Sequence, residues 1–270
     1  MNLLFLGDIV GRSGRNAVIE RMSDLRSKLS LDFVVANVEN AAGGFGTTEE
    51  ICHALYECGV DVLTSGNHIW AQREILDYID FEPRLLRPIN FRAQPPGRGE
   101  GTFETRDGRH VLVVNVMTQL FMEPVNEPAA ALEAVLARHT LGEDIDAMIV
   151  DVHGEATSEK MSLGHFLDGR VSLVVGTHTH VPTADTQILP NGTAFQADAG
   201  MCGDYDSVIG MEKTVPLMRL AEGLPGGRLT PASGEATVCG VFVETGSDGL
   251  AVRAEPVRVG GRLRQNLPSL

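Results

Sequence analysis

The sequence predicts an α/β fold in which helices flank a mixed sheet system, and three observations lead there. Short continuous apolar runs that end in polar residues recur along the chain, the mark of strands buried on both faces. In the first half these runs alternate with segments of helical spacing. In the second half strands follow one another directly, which favours a mixed sheet system over a uniform doubly wound sheet. The 270 residues, 43% hydrophobic and 21% charged, supply a sizeable core without disulfide staples.

Residues 3–6 are the first buried strand, ending in Gly7-Asp8. A helix over 14–29 places Ala17, Val18, Met22, Leu25 and Leu29 on one face. Residues 33–38 are a second strand, and 49–58 a helix ended by Gly59. A strand over 60–63 and a short helix over 73–79 follow. Pro83, Pro88, Pro95 and Pro96, with Gly97, Gly99 and Gly101, mark a loop-rich stretch over 82–102. Beyond it come a strand over 111–116, an Ala-rich helix over 128–139, and buried strands over 147–150 and 172–175. Residues 193–196, 237–245 and 250–258 read as antiparallel strands. One domain over 1–258 is expected, in which 82–145 could form a small cap, followed by an exposed tail over 259–270.

The net charge of −14 repels phosphate backbones and acidic membrane surfaces, so non-specific nucleic-acid binding is not expected. A phosphate substrate is still compatible, because bound cations invert the local field. Cys52, Cys58, Cys202 and Cys239 form no Cys-x-x-Cys pair and read as reduced thiols. The amino terminus lacks the features of a signal peptide, and no stretch approaches the roughly 20 apolar residues of a membrane helix. The cytoplasm is the expected location, with no membrane partner; a homo-oligomer is left open.

Polar residues of the kind that bind metals stand at the ends of successive strands: Asp8, Glu39 and Asn40, Asn67 and His68, His153, then His178 and His180. In open α/β sheets, sites form at the carboxyl ends of strands. Any one of these residues alone would more often be a cap, a turn residue or a structural histidine. His178-Thr179-His180 is a stronger signal, because i, i+2 spacing on an extended segment puts both rings on one side. Carboxylates, amides and imidazoles without thiolates suit Mn, Fe, Zn or Co better than calcium. The set exceeds the needs of one ion and suits two that share a bridging carboxylate, about 3.5–4 Å apart. His53, His110, His139 and His165 read as structural or surface residues. Gly7, Gly11 and Gly14 do not match a nucleotide-binding loop, and a Gly-x-Ser-x-Gly elbow is missing.

Read in order, Asp8, Glu39-Asn40, Gly66-Asn67-His68, His153 and the run Gly176-Thr177-His178-Thr179-His180 resemble the calcineurin-like metallophosphoesterases. Val10 stands where that superfamily usually has a histidine, and Glu39 where it has a bridging aspartate. These departures, with Glu39-Asn40-Ala41-Ala42, the segment from Glu155 to Lys160 and the run from Gly176 to Met211, resemble the YmdB-like phosphodiesterases. The resemblance implies a four-layer α/β/β/α sandwich of two mixed sheets flanked by helices, with a dimetal site at the sheet edges. It also implies hydrolysis of a small phosphodiester, chiefly 2′,3′-cyclic nucleotides. Asp8, Asn40 and His180 would hold one metal, Asn67, His153 and His178 the other, and Glu39 would bridge. Gly154 stands where the group leads one to expect alanine, a change without obvious chemical cost.

The expected reaction is in-line attack on phosphorus by a hydroxide bridging two divalent ions, Fe or Mn ahead of Zn or Co. His68 is the candidate catalytic residue, contacting phosphate or protonating the leaving oxygen. Asp151 and Asp198 are candidates to orient ligand histidines. Two alternatives stand beside this reading: a non-catalytic binding module using the same cleft, and a phosphomonoesterase or protein phosphatase.

Overall fold

Apolar residues of each central strand alternate between two partners, and that alternation builds the layers. A computed structural model describes residues 1–93, 95–223 and 226–269. The first sheet contains β1 (Asn2–Leu6), β2 (Asp8–Ile9), β3 (Phe33–Asn37), β4 (Val62–Thr64), β11 (Met201–Asp204), β12 (Ala236–Thr245) and β13 (Ala251–Val259). Its order is β2-β11-β12-β1-β3-β4, and β13 also pairs with β12. The second sheet is β5 (Glu100–Glu104), β6 (His110–Met117), β7 (Ala147–His153), β8 (Leu173–Thr177), β10 (Ala194–Gln196) and β9 (Gln187–Ile188), in that order. Both sheets mix parallel and antiparallel pairs, for example β1 with β3 and β12, and β6 with β7 and β5.

Because side chains alternate along a strand, Leu3 and Phe5 face the second sheet, where they pack with Val113, Ile149 and Val175. Leu4 and Leu6 face outward onto Val18, Met22 and Leu25 of α1 (Gly11–Lys28) and Leu55 of α2 (Glu49–Cys58). On the far side, Leu112, Val114, Met148 and Val150 pack under α4 (Pro128–Leu136) and α5 (Thr157–Phe166). These three apolar interfaces make the predicted α/β/β/α sandwich. Each fully buried aliphatic side chain in them contributes roughly 1.5–3 kcal/mol.

Several local readings change. Helix α1 starts at Gly11 instead of residue 14, because Gly14 lets the first turn pack on β11; a β-carbon there would lie 2.0 Å from the Cys202 carbonyl oxygen. Helix α2 behaves as read: Thr48 Oγ1 caps it by accepting from Ile51 N at 3.3 Å, and Gly59 closes it at φ 110°. Residues 193–196 pair in parallel with β8 and antiparallel only with β9. Helix α5 has no apolar stripe to announce it: its inward face carries Lys160 and Gly164 beside Leu163. The short helices α3 (Ile75–Tyr78) and α6 (Thr214–Glu222) follow; α6 is apolar on one face but buries no residue.

The stretch 82–145, considered as a cap, supplies β5, β6 and α4 to the second sheet and its outer layer. Residues 259–269 lie along β13: Arg258 and Asn266 exchange backbone hydrogen bonds, and Pro268 is buried. Leu270 lies outside the described residues. Cys52, Cys202 and Cys239 are buried free thiols, and burial pushes Cys52 and Cys239 up to about 12.

Candidate metal centre

The strand ends of both sheets meet at one edge, where Asn37 at the end of β3 reaches across and donates to Asp151 Oδ2 of β7 at 2.9 Å. The same amide donates to the Ser65 carbonyl at 3.1 Å. A fully buried amide thus fastens the two sheets beneath the candidate ligands.

Above it, four groups converge. His153 Nε2 lies 3.0 Å from Glu39 Oε2, 3.1 Å from Asn67 Oδ1 and 3.1 Å from His178 Nδ1. One ring nitrogen cannot satisfy three partners with a single proton or lone pair. The other ring nitrogen, Nδ1, faces Thr177 Oγ1 at 2.9 Å, and that hydroxyl donates to Asp151 Oδ1 at 2.7 Å. The ring is therefore oriented from behind with Nε2 turned inward. Ligand atoms of Glu39, His153 and His178 all lie within 4.8 Å of one another, and Gly66 makes room: a β-carbon there would stand 2.2 Å from His153 Nε2.

The second group forms beside the first. His180 Nε2 faces Asn40 Oδ1 at 3.1 Å, while His180 Nδ1 is held by the Ile209 carbonyl at 2.7 Å. The Asn40 amide donates to the Gly44 carbonyl at 2.9 Å, which turns its oxygen toward His180. Asp8 is tied to the first group, where its Oδ2 accepts from His178 N at 3.1 Å. Its other oxygen, Oδ1, is buried without a partner. A buried orphan carboxylate oxygen is costly and fits a cation ligand. His68 donates its backbone N–H to Glu39 Oε2 at 3.3 Å, and its ring stands edge-on to Phe45 at 5.1 Å.

The electrostatics agree. Burial, then the charges of Asp198 and Glu39, push Asp8 well above the usual carboxylate range. Burial also acts to raise Glu39, but its contacts with His153 and His178 outweigh it and hold that carboxyl far below the usual range. Burial pushes His153 and His180 down, which keeps their rings neutral, the form that ligates metals. Burial pushes Asp151 up to about 7.

The extended geometry expected for 178–180 is not what the chain adopts. His178 and His180 sit at φ 96° and 66° in the left-handed region, so their rings serve different partners, Glu39 and His153 for one and Asn40 for the other. Asn37 stands outside every motif in the sequence, and Gly66, Thr177 and Thr179 stand within the motifs without a role of their own. Single threonines and asparagines look like turn residues, and only their contacts reveal what they do. Of the other histidines, His53 pairs with Glu49 at 3.5 Å and His139 with Asp144 at 3.1 Å. Among the described residues no helix is long and apolar enough to cross a membrane.

Comparison with known proteins gives a consistent result. The chain is 43% identical over 244 residues to a Bacillus subtilis protein named 2′,3′-cyclic-nucleotide 2′-phosphodiesterase, covering 90% of this chain and 91% of that one. The solved structure of a hypothetical protein from Thermus thermophilus superposes with a TM-score of 0.90 at 38% identity, covering 97% of this chain and 100% of that one. The structure of a Mycoplasma pneumoniae phosphatase does so with a TM-score of 0.89 at 32% identity, covering 96% and 93%. The sequence model of the YmdB-like proteins matches residues 4–257, and the chain belongs to that family.

Proposed function

We propose that this protein is a dinuclear metal-dependent phosphodiesterase that hydrolyses cyclic nucleotides, 2′,3′-cyclic nucleotides first. The observation that carries the reading is the convergence of Glu39, Asn67 and His178 on one nitrogen of His153. The 43% identity to the B. subtilis phosphodiesterase supports the substrate class.

Asp8, Asn40 and His180 would hold one divalent ion, and Asn67, His153 and His178 the other, with Glu39 between them. The mixed nitrogen and oxygen donors suit Mn or Fe, and also Zn or Co. When bound, the ions supply positive charge for the phosphate and bring the pKa of a water toward about 7.

The chain's own residues do the rest. Thr177 fixes which nitrogen His153 turns inward, and the Ile209 carbonyl does the same for His180. His68, adjacent to Asn67 and in edge-on contact with Phe45, would give a proton to the ribose oxygen that leaves phosphorus. The phosphatase name of the M. pneumoniae neighbour makes a phosphomonoester the competing substrate.

The test is turnover of 2′,3′-cyclic nucleotides, 3′,5′-cyclic nucleotides and a phosphomonoester by protein reloaded with Mn, Fe or Zn. Metal-dependent opening of the 2′,3′ ring is expected. Preference for the monoester would replace the diester reading. Binding of all three without turnover would make the cleft a binding module.

A further inference from the structure

Lys160 turns inward from α5 and is fully buried. Its stem crosses Gly176, where a β-carbon would come within 2.7 Å of Lys160 Cδ. Its ammonium donates to the Thr177 carbonyl at 2.7 Å and to Asp198 Oδ2 at 2.9 Å. The same Asp198 oxygen accepts from Thr179 N at 3.0 Å and from Thr179 Oγ1 at 2.7 Å, while Oδ1 accepts from Gly200 N at 2.8 Å. One buried ion pair therefore fastens both chain neighbours of His178.

That residue and His180 hold left-handed backbone conformations that β-carbon-bearing residues avoid, and such strain persists only where the surroundings over-determine it. A buried ion pair is a poor device for stability alone, because desolvation offsets its attraction. Here it has a second effect. Lys160 Nζ, Thr179 N and Thr179 Oγ1 occupy Asp198 Oδ2, and Gly200 N occupies Oδ1, so this buried carboxylate is committed to the chain on either side of His178.

We propose that the Lys160–Asp198 pair is a positioning clamp that holds His178 and His180 in the geometry that accepts divalent metal. Its contribution is to metal affinity, so the inference rests on the metal-centre reading above. The clamp acts through Thr177 and Thr179 and touches no substrate.

The experiment is calorimetric titration of Mn into the metal-stripped full chain, with melting curves of each metal-free form. The variants are Thr179→Ala, which removes one bond to Asp198, and the neutral pair Lys160→Met with Asp198→Asn. Loss of a residue that orients a metal ligand typically costs about 10–100-fold in affinity. The neutral pair is expected to fold and to lose Mn affinity on that scale, with kcat falling more than KM rises. Thr179→Ala is expected to melt as wild type does and to lose a smaller factor. Wild-type affinity in Thr179→Ala, together with either an unfolded neutral pair or one that binds Mn as wild type does, would overturn the clamp. A wild-type chain that takes up no Mn would overturn the metal centre itself.

Discussion

The backbone of Gly66 faces the Glu39 carboxylate so closely that a β-carbon at position 66 would stand 2.1 Å from Oε2. Gly66 is not among the residues at positive φ, so contact alone, and not backbone strain, excludes alanine. Gly66→Ala must move Glu39 and His153 together. Displacement of a reacting group by about 1 Å can cost ~100-fold in rate, and overpacking costs about 1–3 kcal/mol of stability. Turnover and melting temperature of the purified variant check this: a large loss of turnover is expected with a folded protein.

Thr177 links His153 to Asp151 through one hydroxyl. Thr177→Val keeps the shape but leaves Asp151 Oδ1 without its donor and His153 Nδ1 without its partner. The expected cost is about 1–3 kcal/mol of stability and roughly 10–100-fold in metal affinity. Thr177→Ser restores the hydroxyl and should restore both quantities. Denaturant melts and Mn titration of the two variants read the difference.

Much of this arrangement is legible in the sequence. Buried strands leave unbroken apolar runs, and the polar residues that end them single out Asp8, Glu39, Asn40, Asn67, His153, His178 and His180 as candidates without any geometry. What the sequence hides is what breaks its own period. Helix α5 turns a lysine and a glycine inward, and so carries no amphipathic pattern. The left-handed φ of His178 and His180 flanks Thr179, which Asp198 holds from a distant part of the chain, and no local rule connects the two. Glycines 66, 154 and 176 do not announce that a neighbour occupies the space of their missing side chains.

Gly154 shows the cost of such a neighbour. A β-carbon there would meet Thr118 Oγ1 at 1.9 Å and Thr118 Cβ at 2.8 Å, so alanine is not the harmless exchange the sequence suggests. Gly154→Ala is expected to destabilise by about 1–3 kcal/mol through overpacking. Thr118→Ala removes the closest atom and should recover part of that loss in the double variant. Non-additivity in a double-mutant cycle of melts is the readout, and simple additivity would count against the contact.

Metal loading should stabilise the fold. Asp8 and Glu39 are buried together, and Asp8 Oδ1 has no partner, so cations relieve repulsion that unfolding would otherwise relieve. At a free metal concentration about 100 times Kd, the gain is roughly 2.7 kcal/mol per site. Melting temperature should rise with Mn and fall back with a chelator. In Glu39→Gln the rise should shrink.

The most direct single measurement is metal stoichiometry and 2′,3′-cyclic nucleotide turnover on the same preparations of wild type and Glu39→Gln. Two ions per chain with metal-dependent turnover in the wild type, and fewer ions with turnover at least tenfold lower in the variant, is the predicted result. Undiminished hydrolysis by fully stripped protein, or by Glu39→Gln, would contradict a reaction built on this centre.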